Sequence, residues 1–143
     1  MEGKLRLIGS RITKIHAERN SDHSGKVTMN TGINIAHVEK YVPQEGNIDA
    51  IKVACTLKTD YSNLGLIEIH GDLFFTSDKE TLDNIEKQFN DKNFTSKEMI
   101  AITNLVIQKF SIKAFELEEE LGLPIHIKLP SLKPEEQPKP SES

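Results

Sequence analysis

The sequence has little of what several protein classes require. Only one of its 143 residues is a cysteine, tryptophan is absent, and aromatic residues make up 6% of the chain. A single cysteine excludes an intrachain disulfide, which favours a reducing compartment. No stretch approaches the roughly 18 consecutive apolar residues that indicate a membrane-spanning helix. A core without tryptophan must consist mainly of isoleucine, leucine and valine, and the length predicts one domain.

The charge balance narrows the range of partners. The chain has 18 basic and 22 acidic residues, a net charge of −4 and an isoelectric point near 5.7. This balance argues against non-specific binding of nucleic acid, which requires a basic surface. The opening segment MEGKLRLIGS lacks the apolar core of a signal peptide. Together these features predict a soluble, cytoplasmic protein that binds no nucleic acid and does not insert into membranes.

Residues that carry chemistry occur without the spacing that catalysis or cofactor binding needs. The sequence contains no glycine-rich phosphate loop and no G-x-S-x-G motif. The histidines are scattered and form no ligand set for a metal: His16, His23, His37, His70 and His126. Cys55 lies on the apolar face of a predicted strand, where a small core residue is expected. The acidic run of Glu116 and Glu118–Glu120 is expected to be solvated. We therefore expect no enzyme activity, no cofactor and no metal.

Four segments carry the signals of β-strands. They are Lys4–Arg19, Lys26–Val38, Ala50–Asp60 and Leu64–Thr76. Gly9 interrupts the first segment, where a bulge or bend is expected. In the last two segments one face is apolar, with Ile51, Val53, Cys55 and Leu57 on the third and Ile67, Ile69, Leu73 and Phe75 on the fourth. The other face of the fourth segment is predicted to hold Leu64, Leu66 and Phe74, an apolar surplus.

The pattern then changes to the helical period. Lys79–Phe89 predicts a short helix, and Thr95–Glu98 predicts a capping box that starts a long helix over Ser96–Leu121. Gly122 is placed as the C-cap of that helix, and Pro124 prevents its continuation. The apolar stripe comprises Ile102, Val106, Phe110, Ala114, Leu117 and Leu121, with Ile100, Leu105, Ile107 and Ile112 beside it. It is wider than one sheet face requires, which favours a surface for self-association or for a partner.

Antiparallel-type strands followed by helices, without β–α alternation, predict an α+β fold. We expect a four-stranded antiparallel sheet with the long helix packed on one face. The domain is predicted to span residues 1–132. Residues 133–143 contain no apolar residue besides proline, and we expect them to form a disordered tail rich in proline and glutamate.

The order of these parts resembles the SecB family of protein-export chaperones, including its archaeal SecB-like relatives. Ile12–Asn20 is similar to the first strand of the family, and Ile51–Leu57 and Leu66–Phe74 are similar to its third and fourth strands. Ile102–Phe110, closed by the proline-spaced segment Gly122–Pro130, is similar to the helix and terminal segment of the family. The resemblance covers most of the chain.

The resemblance implies a chaperone that holds non-native polypeptides in apolar grooves without ATP and assembles as a tetramer of two dimers. It places the polypeptide-binding groove at Leu66, Phe74, Phe110, Leu121 and Ile125. It also implies contact with an export acceptor through Glu18, Leu66 and Glu68. Lys14 occupies a position where the family carries an acidic residue, so this chain departs from the family pattern at that contact.

Two other functions are open on the same fold. One is a dedicated binder of a single partner, such as a SecB-like chaperone associated with a toxin–antitoxin system. The other is a carrier or enzyme for a hydrophobic small molecule, with Phe75, Phe89 and Phe115 lining a closed pocket. If the first strand pairs with its copy in an assembly, Arg6 and Arg11 lie near the seam.

Overall fold

The computed structural model describes residues 5–21, 26–42 and 48–124. Its elements are β1 (Arg6–Arg19), β2 (Asn30–Tyr41), β3 (Ala50–Asp60), β4 (Gly65–Thr76), α1 (Lys79–Asn90) and α2 (Lys97–Leu121). The strands form a sheet in the order β1-β4-β3-β2, and all neighbouring strands are antiparallel. The predicted α+β class, with a four-stranded antiparallel sheet and the long helix on one face, is confirmed. Ile125 and the tail predicted at 133–143 lie outside the described residues.

Alternation in the two central strands creates the core of the protein. The buried row of β4 consists of Ile67, Ile69, Leu73 and Phe75, and that of β3 consists of Ile51, Val53, Cys55 and Leu57. Both rows pack in one cluster with Ile102, Val106 and Phe110 of α2. We call this side of the sheet the helix face and the opposite side the open face. The prediction for these two apolar rows is confirmed.

The two helices begin and end at residues suited to those positions. Asp78 caps α1 by accepting a hydrogen bond from the backbone N–H of Thr81, and Ser96 caps α2 by accepting one from Met99 at 3.1 Å. Gly122 ends α2 with a φ of 67°, a left-handed conformation that glycine adopts without strain, as predicted. Within the described ranges, no helix is both long enough and apolar enough to cross a membrane.

The predicted capping box at Thr95–Glu98 is wrong. The N-cap is Ser96, and the Glu98 carboxylate accepts a hydrogen bond from the side-chain amide of Gln88 at 3.2 Å. The same amide group of Gln88 accepts a hydrogen bond from the Ser96 hydroxyl at 2.8 Å. Gln88 near the end of α1 therefore binds the Glu98 carboxylate that the box would have used, and the Thr95 hydroxyl donates to the Asn93 side chain instead.

Strand β2 begins and ends later than the predicted Lys26–Val38. The backbone N–H of Thr28 donates to the Ser62 hydroxyl, and that hydroxyl donates to the Thr28 carbonyl, so pairing with β3 starts only at Asn30. A register shift between Ile35 and His37 then returns Val38 to the buried side, and the strand continues to Tyr41. The bulge hides this continuation from a strict period-2 pattern.

The fourth predicted strand also needs one correction. Leu64 was expected on the face opposite the buried row, but it lies in the turn before β4 and is buried in the core cluster. Its backbone N–H donates to the Tyr61 carbonyl at 3.0 Å, which closes the turn. The turn, and not strand alternation, therefore sets the direction of this side chain. In β1, a register shift between Leu7 and Gly9 confirms the expected bulge.

Candidate functional site

An apolar groove lies between the edge strand β2 and helix α2. We call it the β2 groove; it has a volume of about 360 Å³ and is lined by Thr31, Ile33, Asn34, Ile35, Phe94, Thr103 and Ile107. Ile33 and Ile35 reach it because they pair with Leu57 and Cys55, whose row faces the helices. A volume of this size accommodates several apolar side chains of a bound molecule.

Two elements on the helix side complete the β2 groove. Thr103 and Ile107 stand one turn apart on α2, and the Thr103 hydroxyl is already used, since it donates to the Met99 carbonyl at 2.9 Å. Phe94 comes from the connection between the helices, is 40% exposed, and packs edge-on against Phe89 with ring centroids 6.1 Å apart. The groove thus offers mainly hydrocarbon and one exposed aromatic ring.

A second, polar concavity lies on the open face of the same strand. This open-face cleft has a volume of about 630 Å³ and is lined by Asn30, Thr31, Gly32, Ile33, Asn34, Thr56, Lys58, Asp60, Glu68 and His70. The His70 ring is fixed by two contacts, with the Thr56 hydroxyl at 3.1 Å and with the Glu68 carboxylate at 3.1 Å. The two concavities share residues of β2 and so flank that strand on both sides.

The structure describes four of the five residues predicted to bind polypeptide, and these four do not all lie on one face of the sheet. Leu66 and Phe74 lie on the open face, where Phe74 contacts the ring of Tyr41 and the guanidinium of Arg11. Phe110 is on the other side of the sheet and only 1% exposed. Leu121 is half-buried at the end of α2, and Ile125 lies outside the described residues. The sheet itself separates the first pair from Phe110.

The residues predicted to meet an export acceptor are neighbours on the open face. Glu18 lies opposite Leu66 in the β1–β4 register, and Glu68 lies opposite His16. His16 and Glu18 approach within 3.6 Å. Lys14, which departs from the acidic pattern, lies opposite His70 and therefore beside this group. The geometry brings the predicted acidic pair together and adds a basic residue next to it.

The three phenylalanines of the carrier hypothesis lie in different surroundings. Phe75 is fully buried in the core cluster, and Phe89 is half-buried against His37 and Phe94. Phe115 is half-buried on α2. Neither of the two concavities described above has any of these three residues in its described lining.

One buried polar contact was missed by the sequence analysis. Glu118 belongs to the acidic run that was expected to be solvated, but it is fully buried and accepts a hydrogen bond from the Tyr61 hydroxyl. Burial, together with this hydrogen bond, raises the pKa of Tyr61. The burial of Glu118 could have been predicted from the sequence, because Glu118 follows Phe110 and Ala114 at intervals of four residues on the buried stripe.

Cys55 takes the predicted role of a core residue. It is buried on β3, and its burial raises the pKa of the thiol to about 12. Because the thiolate is the reactive form, this side chain is chemically inert at neutral pH. Among the residues that the structure describes, no group of three or more His, Cys, Asp or Glu side chains is arranged to hold a metal ion.

Comparisons with known proteins give a likeness in structure and none in sequence. No family model matches the chain, and no curated protein matches it. Among solved structures, it is similar to the SecB-like chaperone Rv1957 of Mycobacterium tuberculosis, in complex with a ChAD peptide from the Rv1956 HigA1 antitoxin. The two chains are 12% identical, the match covers 94% of this chain and 93% of that chain, and the TM-score is 0.46. A likeness at this level assigns no function and no site residue.

Proposed function

We propose that the protein is an ATP-independent holdase chaperone that binds segments of non-native polypeptides. The observation that carries this proposal is the β2 groove, an apolar concavity bordered by an edge strand and an exposed phenylalanine. The sequence resemblance to the SecB family points to the same activity. A holdase needs contacts that are individually weak and adaptable, so that many sequences fit. Isoleucine and phenylalanine side chains without a fixed charge meet that requirement.

We also propose that the chain forms a homo-oligomer, a dimer of dimers, with strand β1 in the interface. β1 is the other edge strand of the described sheet and is 14 residues long. Ile8, Ile12 and Ile15 on this strand are 40%, 39% and 42% exposed. A long edge strand with exposed apolar side chains is a template for pairing with another chain. Pairing with a second copy covers these side chains and satisfies the strand edge.

Contact with an export acceptor is a further part of this proposal and uses the open face. Glu18, Leu66 and Glu68 form the contact surface, since the β1–β4 register makes them neighbours. Lys14 beside them gives the surface a mixed charge. An acceptor that fits this surface must therefore present both basic and acidic groups.

The proposed function is tested by suppression of aggregation. A chemically unfolded reference protein is diluted into buffer without nucleotide, with the chain at stoichiometric ratio, and light scattering is followed. We expect the wild-type chain to suppress most of the scattering. Phe94→Ser removes an exposed aromatic from the β2 groove, so the apparent affinity for the unfolded protein should fall by roughly tenfold, which is the loss of about 1.4 kcal/mol of apolar contact.

The matched control is Ile112→Ser, which removes a 62% exposed side chain from α2 outside the described groove lining. We expect this variant to behave like the wild type. If the wild-type chain does not suppress aggregation, general holding is wrong and a dedicated binder of one partner becomes the better function. If both variants lose activity equally, the β2 groove is not the binding site.

A further inference from the structure

Two histidines on the open face each lie beside a glutamate of the same strand. On β1, the ring Nε2 of His16 is 3.6 Å from the Glu18 carboxylate. On β4, the ring Nε2 of His70 is 3.1 Å from the Glu68 carboxylate. The β1–β4 register places Glu68 opposite His16, so the two pairs are neighbours. Because histidine is the side chain that changes its charge between about pH 5 and pH 8, the charge of this area depends on pH.

Three further charged residues complete this area. Lys14 of β1 lies opposite His70, and Lys58 of β3 lies opposite Glu68. Asp60 is the next residue after Lys58 on the same face of β3. Neither lysine forms an ion pair in the part of the chain that the structure describes. We call these seven residues the histidine surface: Lys14, His16, Glu18, Lys58, Asp60, Glu68 and His70.

The histidine surface reverses the sign of its charge when both imidazoles are protonated. Its two lysines and three carboxylates give a net charge of −1 while the imidazoles are neutral, and two added protons change this to +1. The charged and polar neighbours leave this difference intact. Asp72, the next open-face residue of β4, is paired with Arg11 at 2.9 Å. Strand β2 places only uncharged residues opposite this part of β3: Asn30, Gly32 and Asn34.

The arrangement around His70 accommodates its charged form. Its Nε2 lies 3.1 Å from the Glu68 carboxylate and its Nδ1 lies 3.1 Å from the Thr56 hydroxyl. Both oxygens can accept a hydrogen bond, so a ring that carries hydrogen on both nitrogens keeps both contacts without turning. Each imidazolium then neutralises the carboxylate beside it, and the charges of Lys14 and Lys58 are no longer balanced.

We propose that the histidine surface binds an acidic segment of a partner protein when its histidines are protonated and releases that segment at neutral pH. Charge complementarity selects this partner, because opposite charges favour docking and like charges oppose it. The inference rests on the proposed function, since the surface includes Glu18 and Glu68 of the acceptor contact, and it adds the control of that contact by pH. An acidic segment stabilises the charged imidazoles, so binding takes up protons and the affinity rises as the pH falls.

The pH dependence is tested by isothermal titration calorimetry with a blocked peptide that alternates aspartate and glycine. Its carboxylates stay ionised down to about pH 5.5. We expect the wild-type chain to bind this peptide at least about tenfold more tightly at about pH 5.5 than at about pH 7.5, because the surface changes sign. Titrations near pH 6.5 in two buffers with different ionisation enthalpies should show an uptake of at least about half a proton per bound peptide.

The location is tested by removing histidines one pair at a time. His70→Gln should reduce the ratio of the two affinities to about threefold, and His16→Gln/His70→Gln should bring it close to one, because each variant removes one or both of the titrating charges. The matched control is His37→Gln. His37 lies 3.2 Å from Glu39 on β2, but Glu39 also pairs with Lys52, and all three lie outside the histidine surface. This variant should keep the wild-type ratio.

A second comparison tests the role of the lysines. Lys14→Gln should weaken binding at about pH 5.5 by at least about threefold, whereas Lys109→Gln, which removes an exposed charge from α2, should leave it unchanged. Equal affinities of the wild type at the two pH values, or equal effects of His37→Gln and His70→Gln, overturn the inference. If the wild type still suppresses aggregation at about pH 7.5 in that case, the proposed function stands and only its control by pH is wrong. If suppression fails while the histidine variants behave as expected, the histidine surface stands and the holdase activity is wrong.

Discussion

The two edge strands of the sheet differ in how closely they are joined to their surroundings. Where β1 passes beside Gly71 of β4 the packing is tight: a Cβ atom on Gly71 would lie 2.3 Å from the Arg11 carbonyl and 2.8 Å from the Phe110 ring. At β2 the packing around Gly32 is loose, because a Cβ atom built on this glycine meets no atom within 4 Å. One edge is therefore a closed surface with exposed isoleucines, and the other borders two concavities. The difference favours assembly at β1 and binding at β2.

The largest expected effect comes from removing the glycine that permits the tight packing. Gly71→Val forces a side chain into the space between β1 and α2, and we expect it to lower the free energy of unfolding by at least about 3 kcal/mol, the upper part of the range for overpacking. The matched change Gly32→Val should shift it by less than about 0.5 kcal/mol. Urea denaturation followed by circular dichroism measures both. Similar losses for the two variants contradict the difference between the edges.

The second prediction concerns assembly. Replacing Ile12 and Ile15 together by lysine puts two charges into the proposed β1 interface, so the dissociation constant of the oligomer should rise by at least about a hundredfold, or roughly 2.7 kcal/mol. Both side chains are about two-fifths exposed, so the fold itself should persist. Light scattering coupled to size-exclusion chromatography gives the mass of each species. Phe94→Ser, at the other edge of the sheet, is the control and should keep the wild-type mass.

An unchanged mass for the Ile12→Lys/Ile15→Lys protein shows that β1 is not the assembly surface. A reduced mass for Phe94→Ser shows that the β2 groove takes part in assembly. Either result breaks the assignment of separate roles to the two edges. Because aggregation suppression is measured on the same proteins, the loss of assembly and the loss of client binding can be told apart.

The centre of the sheet could be predicted from the sequence, and its edges less well. The predicted bounds Ala50–Asp60 match β3 because its alternation is unbroken and both its neighbours are strands. The bounds of β2 could not be found in the same way. The Ser62 hydroxyl hydrogen-bonds to the backbone of Thr28, so Thr28 does not pair with β3. The bulge after Ile35 then changes which residues of β2 face the core. Both effects depend on contacts that period-2 counting does not contain.

The sequence predicted an apolar surface for a partner, but none of the described residues predicted to bind polypeptide lines the β2 groove. The surplus of apolar residues on α2 indicated a surface for a partner, and Ile107 was among them. Which strand these residues face depends on how the helix lies across the sheet, which no local pattern fixes. Phe94 is a single aromatic residue in a polar connection, so periodicity gives no signal for it. The family resemblance placed Phe110 in the groove, but its ring lies close to the backbone of Gly71 and is only 1% exposed.

The smallest expected effect concerns two ion pairs, one at each edge of the sheet. On β1, Arg11 donates to Asp72 at 2.9 Å, its guanidinium lies 5.2 Å from the centre of the Phe74 ring, and Asp72 is buried. Arg11→Ala leaves that carboxylate without this partner, and we expect Tm to fall by about 3 °C. On β2, Lys40 pairs with Asp83 of α1, and both side chains are exposed to solvent. The hydrogen bond from Lys40 to the Asp83 carboxylate raises the pKa of Lys40.

Exposed ion pairs contribute little to stability because solvent screens them, so Lys40→Ala should leave Tm unchanged within error. Arg11→Met, which keeps the aliphatic stem over Phe74, should recover part of the loss if packing contributes to it. Differential scanning calorimetry at low and high salt measures all three variants. Salt should reduce the difference between wild type and Arg11→Ala only partly, because the Asp72 carboxylate is shielded from solvent. Equal Tm values for Arg11→Ala and Lys40→Ala mean that the ion pair at β1 does not distinguish the two edges, and that the difference between them rests on side-chain packing alone.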